Sequence, residues 1–196
     1  MTAPPADIPQ PRRRFTLFRP LLAGATLRDR VIACLGALIA IGFTGSLCRF
    51  ALGSDASSPL LVAPMGASAV LLFSVPASPL AQPWPVIGGN VVSALVGVAA
   101  GKLIADPMLA AAAAIALAIA AMSVLRCLHP PGGAVALTAV LGDPTIHAAG
   151  YLFALMPVGL NSALMISAAR LFHRVSGNTY PHVPPATAGG LGGGIL

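Results

Sequence analysis

Charged residues are scarce in this chain of 196 residues. Only 8% of the side chains are charged, glutamate does not occur, and 57% of the residues are hydrophobic. A soluble domain carries about 25% charged residues, so this composition excludes an ordinary soluble protein. The five aspartates lie in tails or at the edges of apolar runs, which argues against a carboxylate proton relay. The sequence therefore predicts an all-α polytopic membrane protein built as one compact domain.

Paired ligands and catalytic motifs are missing as well. The three cysteines have no C-x-x-C spacing and the four histidines lie far apart in the sequence. These spacings argue against a disulfide framework and against a metal site. Paired carboxylates, a G-x-S-x-G elbow and a P-loop do not occur. We therefore expect no cofactor, no metal and no catalytic residue, and we interpret the chain as a protein that is not an enzyme.

The positive charge is concentrated before the first apolar run. Basic residues outnumber acidic residues by 11 to 5, and six arginines come before residue 31: Arg12, Arg13, Arg14, Arg19, Arg28 and Arg30. A basic flank next to a span marks the cytoplasmic side and can contact anionic lipid, so we expect membrane lipid and no nucleic acid as a partner. No apolar stretch with a cleavage site precedes the run. We expect a multi-pass protein of a bacterial-type inner (plasma) membrane with both termini in the cytoplasm.

Four apolar runs are long enough to cross a bilayer, and two are too short. The long runs are residues 31–48, 86–104, 108–125 and 149–169. The short runs are 64–75, which opens with Pro64, and 129–141, which opens with His129, Pro130 and Pro131. A helix of 12 residues reaches about 18 Å, whereas the hydrocarbon core is about 30 Å thick. We therefore expect four transmembrane helices plus two short Pro-opened re-entrant or half-helices.

The order of long, short and long runs occurs twice, which predicts two internal repeats. We divide the chain into a basic Pro/Arg-rich cytoplasmic segment (1–30), a transmembrane domain (31–175, with repeats 31–105 and 108–174) and a flexible tail (176–196). If the short helices dip and return, the halves are parallel. If they cross with help from extended backbone, the halves are inverted. Lys102 would lie inside in the dipping version, and we adopt that version.

The openings of the two short helices hold the candidate anion site. Their residues are Pro64, Met65, Gly66, Ala67 and Ser68 in the first, and His129, Pro130, Pro131, Gly132 and Gly133 in the second. Proline suits the first turn of a helix, and glycine leaves backbone donors uncovered. Unsatisfied amides in hydrocarbon must be buried in protein or line a wet cavity. Two helix N-termini that converge near the midplane would favour a small anion.

Four polar residues in this region have two interpretations each. His129 either tunes charge on an anion path or caps its own helix. Arg126 either attracts an anion or extends to the interface and contacts lipid. Asn90 and Asn161 lie inside spans, where side-chain amides join helices or line a pore.

The motifs together resemble the HPP family of integral membrane proteins. The resemblance covers residues 30 to 181 and rests on four segments: Ala63–Ser68, Ser78–Pro83 with Gly89 and Asn90, His129–Ala134, and Tyr180 with Pro181. Family members are described as four-span proteins, and plant members of chloroplast membranes are associated with nitrite transport. The resemblance thus implies membrane transport of a small inorganic anion, with nitrite as the first candidate.

A second function remains open from the sequence alone. The small-residue faces at 97–101 and 110–121 suit contacts between helices. They are typical of a non-transporting structural or assembly subunit of a membrane complex, and they also allow a homo-oligomer. The two hypotheses to compare are anion transport through the two helix starts and assembly without transport.

Overall fold

The computed structural model describes residues 26–52 and 63–182, and these residues form helices without a strand. The helices are α1 Leu27–Leu52, α2 Pro64–Ser74, α3 Pro83–Leu103, α4 Pro107–Val124, α5 Pro131–Leu141, α6 Pro144–Ala149 and α7 Leu160–Val175. Residues 1–25 of the predicted cytoplasmic segment 1–30 lie outside the described residues, and so do residues 183–196 of the predicted tail. The all-α prediction is confirmed.

Four segments are long and apolar enough to cross a membrane: Leu27–Phe50, Pro83–Leu103, Pro107–Val124 and Ala154–Val175. The shorter apolar helices are α2 and α5, with 11 residues each. The fourth span contains a break that the sequence analysis did not predict. A widened turn at Ala154–Gly159 precedes α7, and Met156 within it has extended backbone angles (φ −133, ψ 116) next to Pro157.

Proline starts five consecutive helices, α2 to α6. Its fixed φ suits the first helical position, and its missing N–H has no partner there in any helix. Aspartates cap two of these helices: Asp106 accepts from the Leu109 amide, and Asp143 accepts from the amides of Thr145 and Ile146. Local sequence therefore fixes where the helices begin.

Helix α5 runs beside α3 in the same direction. Gly132, at the start of α5, lies against Gly89 and Ser93, whereas Gly97, further along α3, lies against Ala136 and Ala139. Before α5, the indole Nε1 of Trp84 at the start of α3 donates to the Leu125 carbonyl (3.1 Å). Segment 125–141 therefore runs along the length of α3, and the dipping interpretation is wrong for this short helix. Extended backbone before Pro131 supplies the length that the helix lacks.

Helix α2 runs in the opposite direction. Near its start, Met65 packs in one cluster with Val98 and Val135. Near its end, the Leu72 carbonyl accepts from His173 Nε2 (2.8 Å), in the last turns of α7. The two short helices are thus antiparallel, and their first turns lie side by side.

The bundle has two ends, which we call the terminal end and the hairpin end. At the terminal end, α1 and α3 begin and α4 and α7 end, because Gly36 of α1 lies against Phe172 of α7 and Trp84 bonds to Leu125. The hairpin end is the turn 104–106 between α3 and α4. Lys102 lies at the hairpin end, away from Arg170 and Arg174, so the expectation that it shares their side is wrong.

The described part of the tail is held against the bundle. The Tyr180 hydroxyl donates to the Ala81 carbonyl (2.8 Å), and the His182 amide donates to Gln82 Oε1 (2.9 Å). Burial raises the pKa of the Tyr180 phenol, so the hydroxyl stays a donor at physiological pH. Residues 176–182 therefore cover the start of α3, although the sequence analysis placed them in a flexible tail.

Candidate functional site

The starts of the two short helices meet in one buried hydrogen bond. Ser68 Oγ lies 2.9 Å from His129 Nε2, across 61 residues of sequence. Both side chains are fully buried. Ser68 lies in the second turn of α2, and His129 lies two residues before α5. We call this contact, with the first turns of α2 and α5 around it, the junction.

The second ring nitrogen of His129 fixes the direction of these bonds. His129 Nδ1 lies 2.8 Å from the Leu80 carbonyl oxygen. A carbonyl can only accept, so Nδ1 carries the proton, and in the neutral ring Nε2 accepts from the Ser68 hydroxyl. His129 therefore acts in this conformation as a bridge between α2, the turn at Pro79–Ala81 and the start of α5.

Glycines allow this close approach. A Cβ on Gly89 would lie 2.6 Å from both the Cys127 carbonyl oxygen and the His129 Cβ. A Cβ on Gly132 would lie 2.6 Å from Ser93 Oγ. Any larger residue at either position would push the segment before α5 away from α3. Gly89 and Gly132 thus position His129.

The backbone donors of the junction are mostly occupied. The amide of Gly66 donates to the Ala63 carbonyl (3.0 Å). The amide of Gly132 donates to the backbone carbonyl of His129 (2.8 Å), and the amide of Gly133 donates to the Pro130 carbonyl (3.0 Å). First turns often close in this way on a carbonyl three residues earlier. The prediction of free amide donors is therefore wrong for these three glycines. In this conformation the junction is a closed polar contact.

The other predicted residues of the two segments divide between the interior and the surface of the chain. Pro64, Met65 and Pro131 are buried in the junction, Gly133 is half-buried, and Gly66, Ala67, Arg126 and Pro130 are exposed. A Cβ on Gly66 or on Gly133 would meet nothing within 4 Å. The structure thus brings together Met65, Ser68, His129, Pro131 and Gly132, but leaves Gly66, Ala67 and Pro130 on the outer face.

Asn90 and Asn161 lie in a polar belt around the start of α7. Asn90 Nδ2 donates to Ser162 Oγ (3.1 Å), which in turn donates to the Val158 carbonyl (2.8 Å). Cys48 Sγ lies 3.0 Å from Asn161 Oδ1. These contacts join α1, α3 and α7, as expected for amides that hold helices together.

The buried polar region of α1, α3 and α7 also contains polar atoms that have no partner among the described residues. They are Thr44 Oγ1, Asn90 Oδ1 and Asn161 Nδ2, and all three side chains are fully buried. A buried polar atom without a hydrogen bond costs about 1–3 kcal/mol. Both asparagines therefore have unused hydrogen-bonding capacity beyond joining helices, which is what a solute with donors and acceptors could use.

Arg126 lines a pocket of about 320 Å³ at the terminal end. The inner wall includes Leu80 and Met122. Leu80 accepts from His129, and Met122 Sδ accepts from Ser93 Oγ (3.4 Å), so this wall touches the junction. Arg126 itself has a positive φ of 53, which closes the turn after α4 and exposes its side chain. The structure thus places Arg126 at the mouth of a pocket, with the junction behind it.

Several residues of this site were not identified from the sequence. They are the Leu80 carbonyl, Ser93, Cys48 and Ser162, and they take part through contacts between distant segments. Leu80 lies within the recognised Ser78–Pro83 motif, but a backbone acceptor leaves no mark on residue type. Ser93 and Ser162 are polar residues inside apolar runs, and that rarity is the one signal that could have identified them.

The sequence matches a family and two relatives. Residues 23–181 match the family described as HPP, transmembrane region. A transmembrane protein of Dictyostelium discoideum is 38% identical over 135 residues, which cover 65% of this chain and 47% of that protein. A second transmembrane protein of the same organism is 36% identical over 128 residues, which cover 63% of this chain and 41% of that protein. The chain spans less than half the length of these relatives. No solved structure matches.

Proposed function

The chain belongs to the HPP transmembrane family, and from this membership and the geometry of the junction we propose that it carries a small monovalent anion across a membrane. Nitrite is the first candidate, because the family resemblance implies it. The observation that carries the proposal is the buried bond between Ser68 and His129, which joins the starts of two antiparallel half-helices. Interrupted helices that meet inside a bundle are typical of solute sites in transporters.

The charge around the junction supports an anion. Arg126 lines the pocket on the terminal side, and none of the residues that line this pocket is acidic. An anion that enters would meet the arginine first, with Leu80 and Met122 forming the inner wall behind it. Electrostatic attraction of this kind raises the local anion concentration at a mouth. Passage then requires that the contact between Ser68 and His129 open, because both side chains are fully buried.

The distribution of charge supports an orientation. The described residues of the terminal end include one aspartate, Asp29, and five arginines: Arg28, Arg30, Arg126, Arg170 and Arg174. At the hairpin side Arg49 and Lys102 are balanced by Asp106 and Asp143. The positive-inside rule favours a cytoplasmic terminal end. We propose a bacterial-type inner membrane, both termini in the cytoplasm, lipid and a small inorganic anion as partners, and no enzymatic role.

The alternative of an assembly subunit has less support. Its sequence basis was the small-residue faces at 97–101 and 110–121. Gly97 packs on Ala136, and Ala110, Ala111, Ala114 and Ala118 are buried in a cluster shared by α3, α4 and α5. These buried members serve packing within the chain, whereas Ala112, Ala116 and Ala120 on the other side of α4 are exposed.

Flux from liposomes tests the proposal. Vesicles that contain the purified protein should release trapped nitrite faster than protein-free vesicles, and chloride and nitrate should be compared in the same preparation. His129→Ala should reduce the flux, because it removes the ring that is proposed to contact the anion once the junction opens. His182→Ala is the matched control, since this histidine is exposed at the terminal end. No flux above protein-free vesicles for any of the three anions would overturn the proposal.

A further inference from the structure

A second basic pocket, of about 240 Å³, lies at the hairpin end. Its walls come from the last turns of α3 and α5, the start of α4 and helix α6. The inner wall is apolar, with Val98, Ala139 and Val140, and the rim holds Lys102 and His147. None of the lining residues is acidic. None of the residues that line this pocket is a site residue predicted from the sequence.

Lys102 supplies the positive charge of this pocket. Its Nζ lies 5.9 Å from the centroid of the Tyr151 ring, in reach of a cation–π contact that holds the ammonium at the rim. It also lies near Gly150, another lining residue. Among the described residues, the carboxylates at this end are Asp106 and Asp143, which cap α4 and α6 and do not line the pocket. An ammonium beside an apolar wall without a carboxylate attracts an anion.

His147 is tied to the pocket wall by a hydrogen bond. Its Nε2 lies 3.0 Å from the Val140 carbonyl oxygen, so this nitrogen carries a proton and donates to the last turn of α5. The contact ties α6 to α5 and shapes the pocket wall. Lys102 is therefore the residue on which anion binding depends.

The inner wall of the pocket adjoins the junction. Val98 and Ala139 line the pocket and belong to the same apolar cluster as Met65 and Val135. Met65 lies in the first turn of α2, one turn before Ser68. One apolar cluster thus connects the pocket wall with the start of α2.

We infer that this pocket is a binding site for a small monovalent anion, with Lys102 as the binding residue. The junction is the next site on the proposed transport path. The inference rests on the proposed function and adds a second, opposite entrance to it. The two basic pockets then lie on opposite sides of the closed junction, one at each end of the bundle.

Chemical modification tests binding without any need for flux. Lys102 is the only lysine in the chain, so its acylation by an amine-reactive ester can be followed by mass spectrometry, with the α-amino group as internal reference. In vesicles of zwitterionic lipid, saturating nitrite should slow acylation of Lys102 about threefold or more relative to gluconate at equal ionic strength. Equal rates in the two salts would overturn the inference. Protection by anionic lipid but not by nitrite would also overturn it, because the occupant would then be a headgroup.

Variants test the role in transport. Lys102→Gln should raise the nitrite concentration for half-maximal flux about fivefold with little change in maximal flux, and Lys102→Arg should restore it. Gly101→Val should also raise the nitrite concentration for half-maximal flux, because Gly101 lines the pocket. The fold should tolerate the change, since a Cβ there makes only ordinary contacts, the nearest at 3.7 Å. Arg49→Gln is the control, since Arg49 is exposed in the last turn of α1 and does not line the pocket.

The two assays separate the two proposals. If the unmodified protein carries no anion but nitrite protects Lys102, the proposed function fails and the binding site stands. If the protein carries nitrite and Lys102→Gln behaves like Arg49→Gln, the proposed function stands and the inference fails.

Discussion

At the scale of single residues, the bond between Ser68 and His129 is the most informative contact. Each partner is fully buried, and each ring nitrogen of His129 has a protein partner. The orientation of this ring is therefore fixed by its two protein partners and not by contact with solvent. In this conformation the ring holds the two helix starts together.

Ser68→Ala should weaken both the fold and the transport. It leaves His129 Nε2 buried without a donor, which costs about 1–3 kcal/mol, so we expect a lower melting temperature and a flux reduced at least about fivefold. Ser167→Ala is the matched control, because the exposed Ser167 hydroxyl donates within α7 to the Ala163 carbonyl. A Ser68→Ala protein with normal flux would remove the junction from the path.

Thr44 offers a test in which stability and transport change in opposite directions. Its hydroxyl is fully buried and has no partner in the part of the chain that the structure describes, so Thr44→Val should leave the thermal stability unchanged or raise it. If the belt takes part in transport, the same variant should lower the nitrite flux about threefold or more. Thr138→Val is the control, since the Thr138 hydroxyl bonds to Ala134 in its own helix. Unchanged flux in Thr44→Val would confine the belt to a structural role.

At the scale of elements, the close packing of α3 on α5 decides where the junction forms. A Cβ on Gly97 would lie 2.6 Å from the Ala136 carbonyl oxygen and 2.8 Å from the Ala139 Cβ. Because the first of these atoms is backbone, the two helices would have to move apart. The start of α5, and with it His129, would move too.

Gly97→Ala should therefore destabilise the protein by about 1–3 kcal/mol or more, as overpacking does. Gly133→Ala, on the open side of α5, should leave the melting temperature within about a degree or raise it, because alanine favours helix. Thermal unfolding in detergent measures both. Equal melting temperatures for the two variants would mean that α3 and α5 do not pack as described.

At the scale of the whole molecule, the direction of α5 determines the topology. Because α5 runs beside α3 toward the hairpin end, Asp143 and Asp106 lie at the same end. If α5 dipped and returned, Asp143 would instead lie with Ser123 at the terminal end. The number of crossings in the second half of the chain depends on this difference.

Labelling of single cysteines decides between the two topologies. In a chain whose three native cysteines are replaced by alanine, Asp106→Cys and Asp143→Cys should react with an impermeant maleimide from one side of the membrane. Ser123→Cys and Val175→Cys, which are exposed at the terminal end, should react from the other side. Labelling of Asp143→Cys on the side of Ser123→Cys would contradict the fold.

Composition and local pattern determined the class of protein and the helices. The length of an apolar run decides whether it can cross the bilayer as a helix. Proline at the first helical position, with aspartate before it, marks a helix start independently of the rest of the chain. Four long helices and two short Pro-opened ones could therefore be predicted. The short helices and their polar residues, Ser68 and His129 among them, were also visible as candidates, because polar groups inside apolar runs are rare.

Tertiary structure alone decided how these parts meet. Whether α5 returns or continues depends on Gly89, Gly97 and Gly132, which let two backbones approach to a distance that no other residue allows. Ser68, the partner of His129, lies 61 residues away in the sequence. The amides of Gly66, Gly132 and Gly133, which were predicted to be free, donate to carbonyls three residues earlier. Lys102 gained a role only when α6 folded over the end of α3. The physical reason is that propensity acts within one helix, whereas a site needs atoms from several helices at one depth.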